Sequence, residues 1–209
     1  MQEKSTITPA TNTLKQADIA SARLDAELIL ANTLRKNRTY LHAHLDEEID
    51  PRRVDIAEAR LSLRLDRVPL AYILGKKEFY GREFEVSPSV LVPRPESEEM
   101  INLLLKLVPR DDQPRTLIDI GTGSGCLGIT AALELPDNWH VVLSDISPKA
   151  LLVAEKNAKK LGAKIFTQKQ SLLLGQFEKL DCILANLPYV DKDWKNTSPE
   201  LRHEPSEAL

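Results

Sequence analysis

The feature that most constrains the fold of this chain is an alternation of strand-like and helix-like segments that begins near Arg115. Short apolar runs predict strands at 116–120, 140–144, 164–167 and 180–185, and helical patterns cover 125–135 and 148–161. Such alternation is typical of a parallel sheet whose strands are joined by right-handed crossovers. We therefore predict an α/β domain with a parallel sheet of about four core strands.

A glycine-rich turn lies between the first of these strands and the first helix. Glycines at this place let the backbone approach a ligand closely. Their spacing is GxGxG, whereas dinucleotide-binding proteins have GxGxxG. The carboxylate of Asp119 repels a diphosphate and suits a cationic ligand, such as the ammonium and sulfonium groups of S-adenosylmethionine. Two alternatives are that the turn binds a nicotinamide cofactor or that it binds no ligand. The candidate cofactor residues of this segment are Asp119, Gly121, Thr122, Gly123, Ser124 and Gly125.

Asp145 is a further candidate cofactor residue, because it ends the second predicted strand roughly 20 residues beyond the glycine turn. A carboxylate at this position can accept hydrogen bonds from both ribose hydroxyls of a nucleoside cofactor. Its alternative role is to cap the helix that Pro148 begins. The two roles differ in the groups that the carboxylate oxygens contact.

The tetrapeptide Asn186-Leu187-Pro188-Tyr189 follows the fourth predicted strand and so shares the sheet edge of the glycine turn. A nitrogen whose lone pair is delocalised must be held in one orientation to react. The Asn186 side-chain oxygen and the Leu187 carbonyl can each accept one of its N–H groups. Pro188 fixes the backbone, and the Tyr189 ring can pack on the planar group. The pattern therefore predicts that these residues bind and orient the substrate of a methyl transfer, with Asn186 also beside the cofactor.

Residues 1–68 have apolar side chains at helical spacing and predict a small helical domain. Pro51 after Asp50 is a helix-start pattern. The apolar positions include Ile19, Leu24, Leu28, Leu30, Val54, Ile56, Leu61, Leu63 and Leu65. We interpret the charged residues between them as a solvated outer face, the alternative being a docking surface for a macromolecule: Arg23, Asp25, Glu27, Arg52, Arg53, Glu58 and Arg60.

Residues 69–98 are predicted to form a joint between the helical domain and the α/β domain at 99–209. Apolar and polar residues alternate around Gly81 in the segment 77–86, which predicts a β-hairpin. Pro93 and Pro95 stiffen the chain just before Ser97, where the following carboxylates can open a helix.

The composition narrows the class of protein. A net charge of −3 and a pI of about 5.9 argue against a protein that coats nucleic acid or an anionic membrane. Cys126 and Cys182 lack metal-ligand spacing, so we interpret them as buried reduced thiols and expect no metal site. The sequence contains neither a signal-peptide core nor the roughly 20 apolar residues of a membrane span, and it predicts a soluble cytoplasmic protein.

Together these segments resemble one family, the glutamine methyltransferases of peptide-chain release factors, known as PrmC or HemK. The resemblance extends from about Arg23 to Leu209 and is carried by the segments 23–28, 69–75, 78–81, 93–98, 119–125, 145–147 and 186–189. It implies a Rossmann-like sheet that binds S-adenosylmethionine and a helical domain that helps to recognise the release factor. The implied reaction methylates the side-chain amide of the glutamine in the Gly-Gly-Gln loop, without direct contact to nucleic acid.

Three positions depart from the family pattern. Leu187 replaces the first proline of Asn-Pro-Pro-Tyr and keeps the carbonyl acceptor. Ser97 stands where the family usually has threonine and keeps the hydroxyl. Ser171 and Leu172 occupy the place of a Ser-Asp pair near the adenine, so they are candidate cofactor residues that lack the carboxylate.

The family pattern also continues beyond Leu209 and supplies the last strands of the sheet. We therefore expect the α/β domain to be truncated and its fourth strand to form a bare sheet edge.

Two other functions stay open at this point. A nucleobase presents the same conjugated NH₂ group, so methylation of an exocyclic base nitrogen is the first. The second is a cofactor-binding remnant without catalytic activity, which the bare sheet edge motivates. The negative net charge and the resemblance of residues 23–98 favour the release factor over the nucleobase.

Overall fold

The computed structural model of the chain describes residues 3–44, 46–109, 111–172, 179–187 and 198–208. The chain divides into two compact units, Met1–Leu74 and Gly75–Leu209. None of the helices in the described ranges combines the length and the apolar character that crossing a membrane requires.

The first unit is helical. Its helices are α1 (Glu3–Gln16), α2 (Ala22–Leu34), α3 (Arg38–Ala43), α4 (Pro51–Leu65) and α5 (Leu70–Leu74). The predicted start of α4 is confirmed, because the Asp50 side chain accepts a hydrogen bond from the Arg52 N–H at 2.9 Å and Pro51 occupies the first turn. The buried apolar side chains between α1, α2, α3 and α4 include Leu14, Ile19, Ala26, Leu30, Leu41, Val54 and Ala57.

The prediction that the charged residues of this unit form a solvated outer face is wrong for two carboxylates. Asp25 and Glu27 are 2% and 1% exposed. Asp25 Oδ2 accepts from Arg64 Nε at 2.6 Å, while Glu27 accepts from Arg23 at 3.0 Å and from Arg38 at 2.6 Å. Burial acts to raise the pKa of Glu27, but the hydrogen bonds from Arg38 and Arg23 outweigh it and lower the pKa. Both charges are therefore buried because each has arginine partners within the unit.

Three members of the predicted apolar stripe lie at the surface instead. Leu24, Ile56 and Leu63 are 42%, 43% and 46% exposed. Their spacing is helical, but each lies about a quarter turn or more away from the buried face of its own helix. Helical periodicity therefore predicts the helices here better than it predicts which side chains are buried.

The second unit begins with the predicted hairpin, which is confirmed. Strands β1 (Lys76–Phe79) and β2 (Arg82–Glu85) pair antiparallel around Gly81, whose φ is +71°. Phe79 and Phe84 are fully buried and meet edge to face at 6.2 Å. A 3₁₀ turn at Pro95–Ser97 then leads into α6 (Glu98–Leu107), the helix predicted to follow Ser97.

The rest of this unit confirms the predicted α/β fold. Its order is β3 (Arg115–Ile120), α7 (Cys126–Glu134), β4 (Trp139–Asp145), α8 (Pro148–Leu161), β5 (Phe166–Lys169) and β6 (Cys182–Ala185), followed by 3₁₀ turns at Leu201–His203 and Ser206–Ala208. The four strands are parallel, in the order β5-β4-β3-β6. Strands β5 and β6 each begin two residues later than predicted.

The strand register brings the carboxyl ends of all four strands to one edge. Ile120 of β3 pairs with Ser144 of β4 and with Ala185 of β6, and Asp145 pairs with Lys169 of β5. The residues that follow each strand therefore emerge side by side, at the edge where open α/β sheets bind their ligands.

Candidate active site

A crevice of about 210 Å³ lies at the carboxyl edge of the sheet. Each of the four strands contributes to it through the residues at or just after its end. The sequence-predicted residues that line it are Gly121, Gly123, Asp145, Ser171, Leu172, Asn186 and Leu187. The sheet thus brings together residues that are far apart in sequence.

Two glycines of the turn leave the backbone open to this crevice. Gly121 and Gly123 have φ of +68° and +54°, a region that other residues rarely adopt. A Cβ on Gly121 would lie 3.3 Å from Leu187 Cδ2, so the turn and the Asn-Leu segment are in close contact there. A Cβ on Gly123 would meet no atom of the described residues within 4 Å. A ligand can therefore approach the backbone of the turn at this point.

The other predicted residues of the turn lie beneath it and not on the crevice wall. Asp119, Thr122 and Ser124 are 1%, 6% and 1% exposed. Asp119 Oδ2 accepts from the Thr122 hydroxyl at 2.6 Å and from the Gly128 N–H at 2.9 Å. Burial raises the pKa of Asp119 to about 6, against the two hydrogen bonds that lower it. Asp119 thus ties the glycine turn to the first turns of α7.

Gly125 and Gly128 allow α7 to pack tightly behind the turn. A Cβ on Gly125 would lie 2.6 Å from Ile129 Cδ1 and 3.1 Å from Ala154 Cβ. A Cβ on Gly128 would overlap Leu143 Cδ2. Gly128 is not among the sequence-predicted residues, although a glycine early in a helix that follows a glycine-rich turn is a signal of close packing against the sheet.

Asp145 lies on the crevice wall with both carboxylate oxygens held. Its Oδ2 accepts from the Gly123 N–H at 3.0 Å, and its Oδ1 accepts from the Ser147 N–H at 2.9 Å. The cap of α8 is Ser147, whose hydroxyl accepts from the Ala150 N–H at 3.4 Å. The alternative of Asp145 as the helix cap is therefore wrong, and its charge is fixed at the rim of the glycine turn.

Asn186 and Leu187 directly follow β6 and line the crevice on that side. Asn186 is partly buried, and its Nδ2 donates to Ser97 Oγ at 3.3 Å. The hydroxyl at position 97 thus fixes the orientation of the side-chain amide, whose oxygen is the predicted acceptor for the substrate. Pro188 and Tyr189, the rest of the predicted tetrapeptide, lie outside the described residues.

The structure also adds crevice residues that were not predicted from the sequence: Ser89, Val90, Leu91, Ile120, Ile146, Ser147, Ala150, Gln170, Pro205, Glu207 and Ala208. Gln170 directly follows β5, so its position at the strand end could have indicated it. Both polar atoms of its side-chain amide are buried without a hydrogen-bond partner among the described residues. Asn157, which the sequence did not indicate either, bonds to the backbone of Glu85 and to the Ser124 carbonyl at 2.7–2.9 Å.

Two known families match the chain. Residues 6–75 match the family described as PrmC N-terminal domain, and residues 98–204 match the family described as Methyltransferase small domain. The crevice residues 120–187 lie within the second match.

Several curated relatives are named release factor glutamine methyltransferase. The relative from Bacillus anthracis is 39% identical over 190 residues, which cover 88% of this chain and 67% of the relative. The relative from Koribacter versatilis is 43% identical over 182 residues, which cover 85% of this chain and 63% of the relative. The relative from Deinococcus radiodurans is 36% identical over 210 residues, which cover 100% of this chain and 75% of the relative. The chain thus spans between 63% and 75% of the length of these relatives.

Proposed function

The chain belongs to the family of release factor glutamine methyltransferases, and we propose on that premise that it methylates the side-chain amide of a release-factor glutamine. The substrate is the glutamine of the Gly-Gly-Gln loop, and the methyl donor is S-adenosylmethionine. The observation that carries the proposal is the strand register, which sets Asn186, directly after β6, beside the glycine turn that follows β3 in one crevice.

Three observations support S-adenosylmethionine as the cofactor. The backbone at Gly121 and Gly123 forms a cradle without side chains. Asp145 presents a fixed carboxylate on the same wall, where it can accept from the ribose hydroxyls. The buried amide of Gln170 lies beside the crevice and has polar atoms to satisfy. When bound, this cofactor supplies a methyl group on a positively charged sulfur, and the transfer discharges that cation.

The role of Asn186 follows from the chemistry of an amide. The nitrogen lone pair is delocalised into the carbonyl, so the nitrogen reacts only when both N–H groups are held and the lone pair is aimed along the line of attack. The Asn186 side-chain oxygen and the Leu187 carbonyl accept those two N–H groups. Alignment of this kind can lower a barrier by roughly 7–11 kcal/mol. The nitrogen becomes more acidic as it is methylated, so its proton can leave to water without a dedicated strong base.

Ser97 and Tyr189 support this arrangement in different ways. Ser97 accepts the Nδ2 hydrogen bond of Asn186, so the amide oxygen keeps its orientation toward the substrate. The Tyr189 ring packs on the planar face of the glutamine amide in this proposal. The helical domain, most of which lies within the match of residues 6–75 to the PrmC N-terminal domain, contacts the release factor outside the loop.

Replacement of Asn186 tests the proposal. We expect Asn186→Ala to lower kcat/KM for the release factor by about 100-fold or more, because a positioned acceptor is lost. The dissociation constant for S-adenosylhomocysteine, measured by calorimetry, should stay within about threefold of the wild-type value. Asn138→Ala is the matched control, since Asn138 bonds to the carbonyls of Asp111 and Gln113 away from the crevice. Wild-type turnover by Asn186→Ala would rule out the assigned role.

The same preparation separates the two alternative functions. Labelled S-adenosylmethionine is incubated with a release factor, with its glutamine-to-alanine loop variant, and with RNA and DNA. Label in the intact release factor alone is the expected result. Label in nucleic acid would favour methylation of a base amino group, and cofactor binding without any label would favour a non-catalytic remnant.

A further inference from the structure

Glu204 is a buried carboxylate that the proposed reaction does not use. Its side chain is 2% exposed. Its Oε2 accepts from the Val92 N–H at 3.0 Å, and its Oε1 accepts from Arg94 Nη2 at 2.6 Å. A carboxylate is expensive to bury unless its oxygens are paired. The segment 92–94 therefore provides the partners that let this charge lie inside the protein.

These two bonds join two walls of the crevice. One wall is formed by residues 89–91, which directly precede Val92. The other is formed by residues that directly follow Glu204: Pro205, Glu207 and Ala208. The segments are more than 100 residues apart in sequence, since Glu204 and Val92 are separated by 112 positions. Glu204 thus links the two walls directly through its side chain.

The same segment reaches Asn186. Ser97, three positions after Arg94, accepts the hydrogen bond that orients the Asn186 amide. Pro93 and Pro95 restrict the backbone between these anchors, because each fixes its own φ. The anchors at Val92 and Arg94 are therefore connected to Ser97 through this stiffened backbone, and Ser97 is connected to Asn186 through a hydrogen bond.

We propose that Glu204 is a positioning residue for the methyl transfer, an inference that rests on the proposed function. It holds the two walls at the spacing that the cofactor requires, and it keeps Ser97 where it orients Asn186. It touches neither substrate nor reacting atoms in this role. A purely stabilising Glu204 would instead affect how much protein is folded, and not the properties of the folded enzyme.

The most conservative substitution that tests this role is Glu204→Gln, because it keeps the size of the side chain. The glutamine oxygen can still accept from the Val92 N–H, but its NH₂ group faces another donor at Arg94. We expect the Kd for S-adenosylhomocysteine to rise about tenfold and kcat at saturating substrates to fall about tenfold, as loss of one charge-assisted bond allows. The KM for the release factor should stay within about twofold, because the helical domain is unchanged.

Two further variants make this test specific. Arg94→Gln removes the other partner, and the double variant with Glu204→Gln should lose no more than the larger single loss, because both changes break one link. Glu200→Ala is the matched control, since it removes a carboxylate that accepts from the Ser198 hydroxyl in the same segment. Its Kd and kcat should equal those of the wild type.

The outcomes separate this inference from the proposed function. If the wild type methylates the release factor and Glu204→Gln matches it in Kd and kcat, the positioning role is wrong and the proposed function stands. A lower melting temperature with unchanged kcat below that temperature would likewise overturn the role. If the wild type binds S-adenosylhomocysteine but does not methylate, the proposed function fails, and the Kd of Glu204→Gln still decides whether Glu204 holds the walls. No binding to the wild type would overturn both.

Discussion

Asp119 and Asp145 are both aspartates near the same edge of the sheet, but their environments differ. Asp119 is buried under the glycine turn and holds the Thr122 hydroxyl and the Gly128 N–H. Asp145 lies on the crevice wall and holds the Gly123 and Ser147 N–H groups. We assign Asp145 to the cofactor hydroxyls, whereas Asp119 shapes the turn from below.

The sequence could predict the position of Asp119 but not its burial. A central strand of a parallel sheet is covered on both faces, so its side chains do not alternate between core and solvent. The exposed fraction is at most 6% for all four residues at the end of β3: Leu117, Ile118, Asp119 and Ile120. The same limit applies to Glu204, whose burial depends on partners more than 100 residues away.

The raised pKa of Asp119 predicts a pH dependence of stability. Between its ordinary value of 3.8 and its folded value of about 6, the folded state binds more protons than the unfolded state. Its contribution to the free energy of unfolding is therefore largest below pH 4 and is lost as the pH rises through about 6, by up to about 3 kcal/mol. Asp119→Asn cannot titrate, but its oxygen can accept from the same two donors.

We therefore expect the stability of Asp119→Asn relative to the wild type to rise between pH 4 and pH 7. The measurement is urea unfolding at several pH values, followed by tryptophan fluorescence, because both tryptophans of the chain follow residue 75. Taking the difference between the two proteins cancels the titration of the other groups. A difference that is independent of pH would contradict the buried, titrating carboxylate.

At the scale of elements, the sequence predicted which helices and strands form better than where they begin. The strand predicted at 164–167 is β5 at Phe166–Lys169. Helix α8 ends at Leu161, and Gly162 after it adopts a φ of +73° that lets the Ala163 N–H donate to the Ala158 carbonyl. The chain needs the next residues to turn toward the sheet, so strand pairing begins only at Phe166 opposite Val142. Strand ends depend on such long-range partners, which a local pattern does not contain.

The packing of α7 on the sheet gives a prediction about Gly128. A Cβ there would overlap Leu143 Cδ2 and lie 2.9 Å from Asp119 Cβ. We expect Gly128→Ala to lower the free energy of unfolding by about 1–3 kcal/mol, although alanine favours a helix over glycine by about 1 kcal/mol. Urea unfolding followed by tryptophan fluorescence measures the change.

Leu143→Ala provides the control for this prediction, because it removes the atom that the new methyl group would strike. In the Leu143→Ala background, Gly128→Ala should cost at least about 1 kcal/mol less than in the wild type. Equal costs in both backgrounds would show that the loss does not come from this contact.

At the scale of the whole molecule, each unit has its own buried charges and the crevice belongs to one of them. Asp25 and Glu27 are buried in Met1–Leu74, whereas Asp119 and Glu204 are buried in Gly75–Leu209. Among the residues that the structure describes, all those that line the crevice belong to the second unit. Because the proposed function assigns contact with the release factor to the helical unit, damage to this unit should affect recognition of the release factor and leave cofactor binding intact.

Asp25→Ala tests this separation of roles. Removing one partner of the buried Asp25–Arg64 ion pair costs about 3–5 kcal/mol. We expect the helical unit to unfold at a lower urea concentration by circular dichroism and KM for the intact release factor to rise about tenfold. The Kd for S-adenosylhomocysteine should not change.

Asp55→Ala, which removes an exposed carboxylate from α4, is the control and should leave stability within about 0.5 kcal/mol. If Asp25→Ala weakened cofactor binding while KM for the release factor stayed constant, recognition would have to be assigned to the second unit.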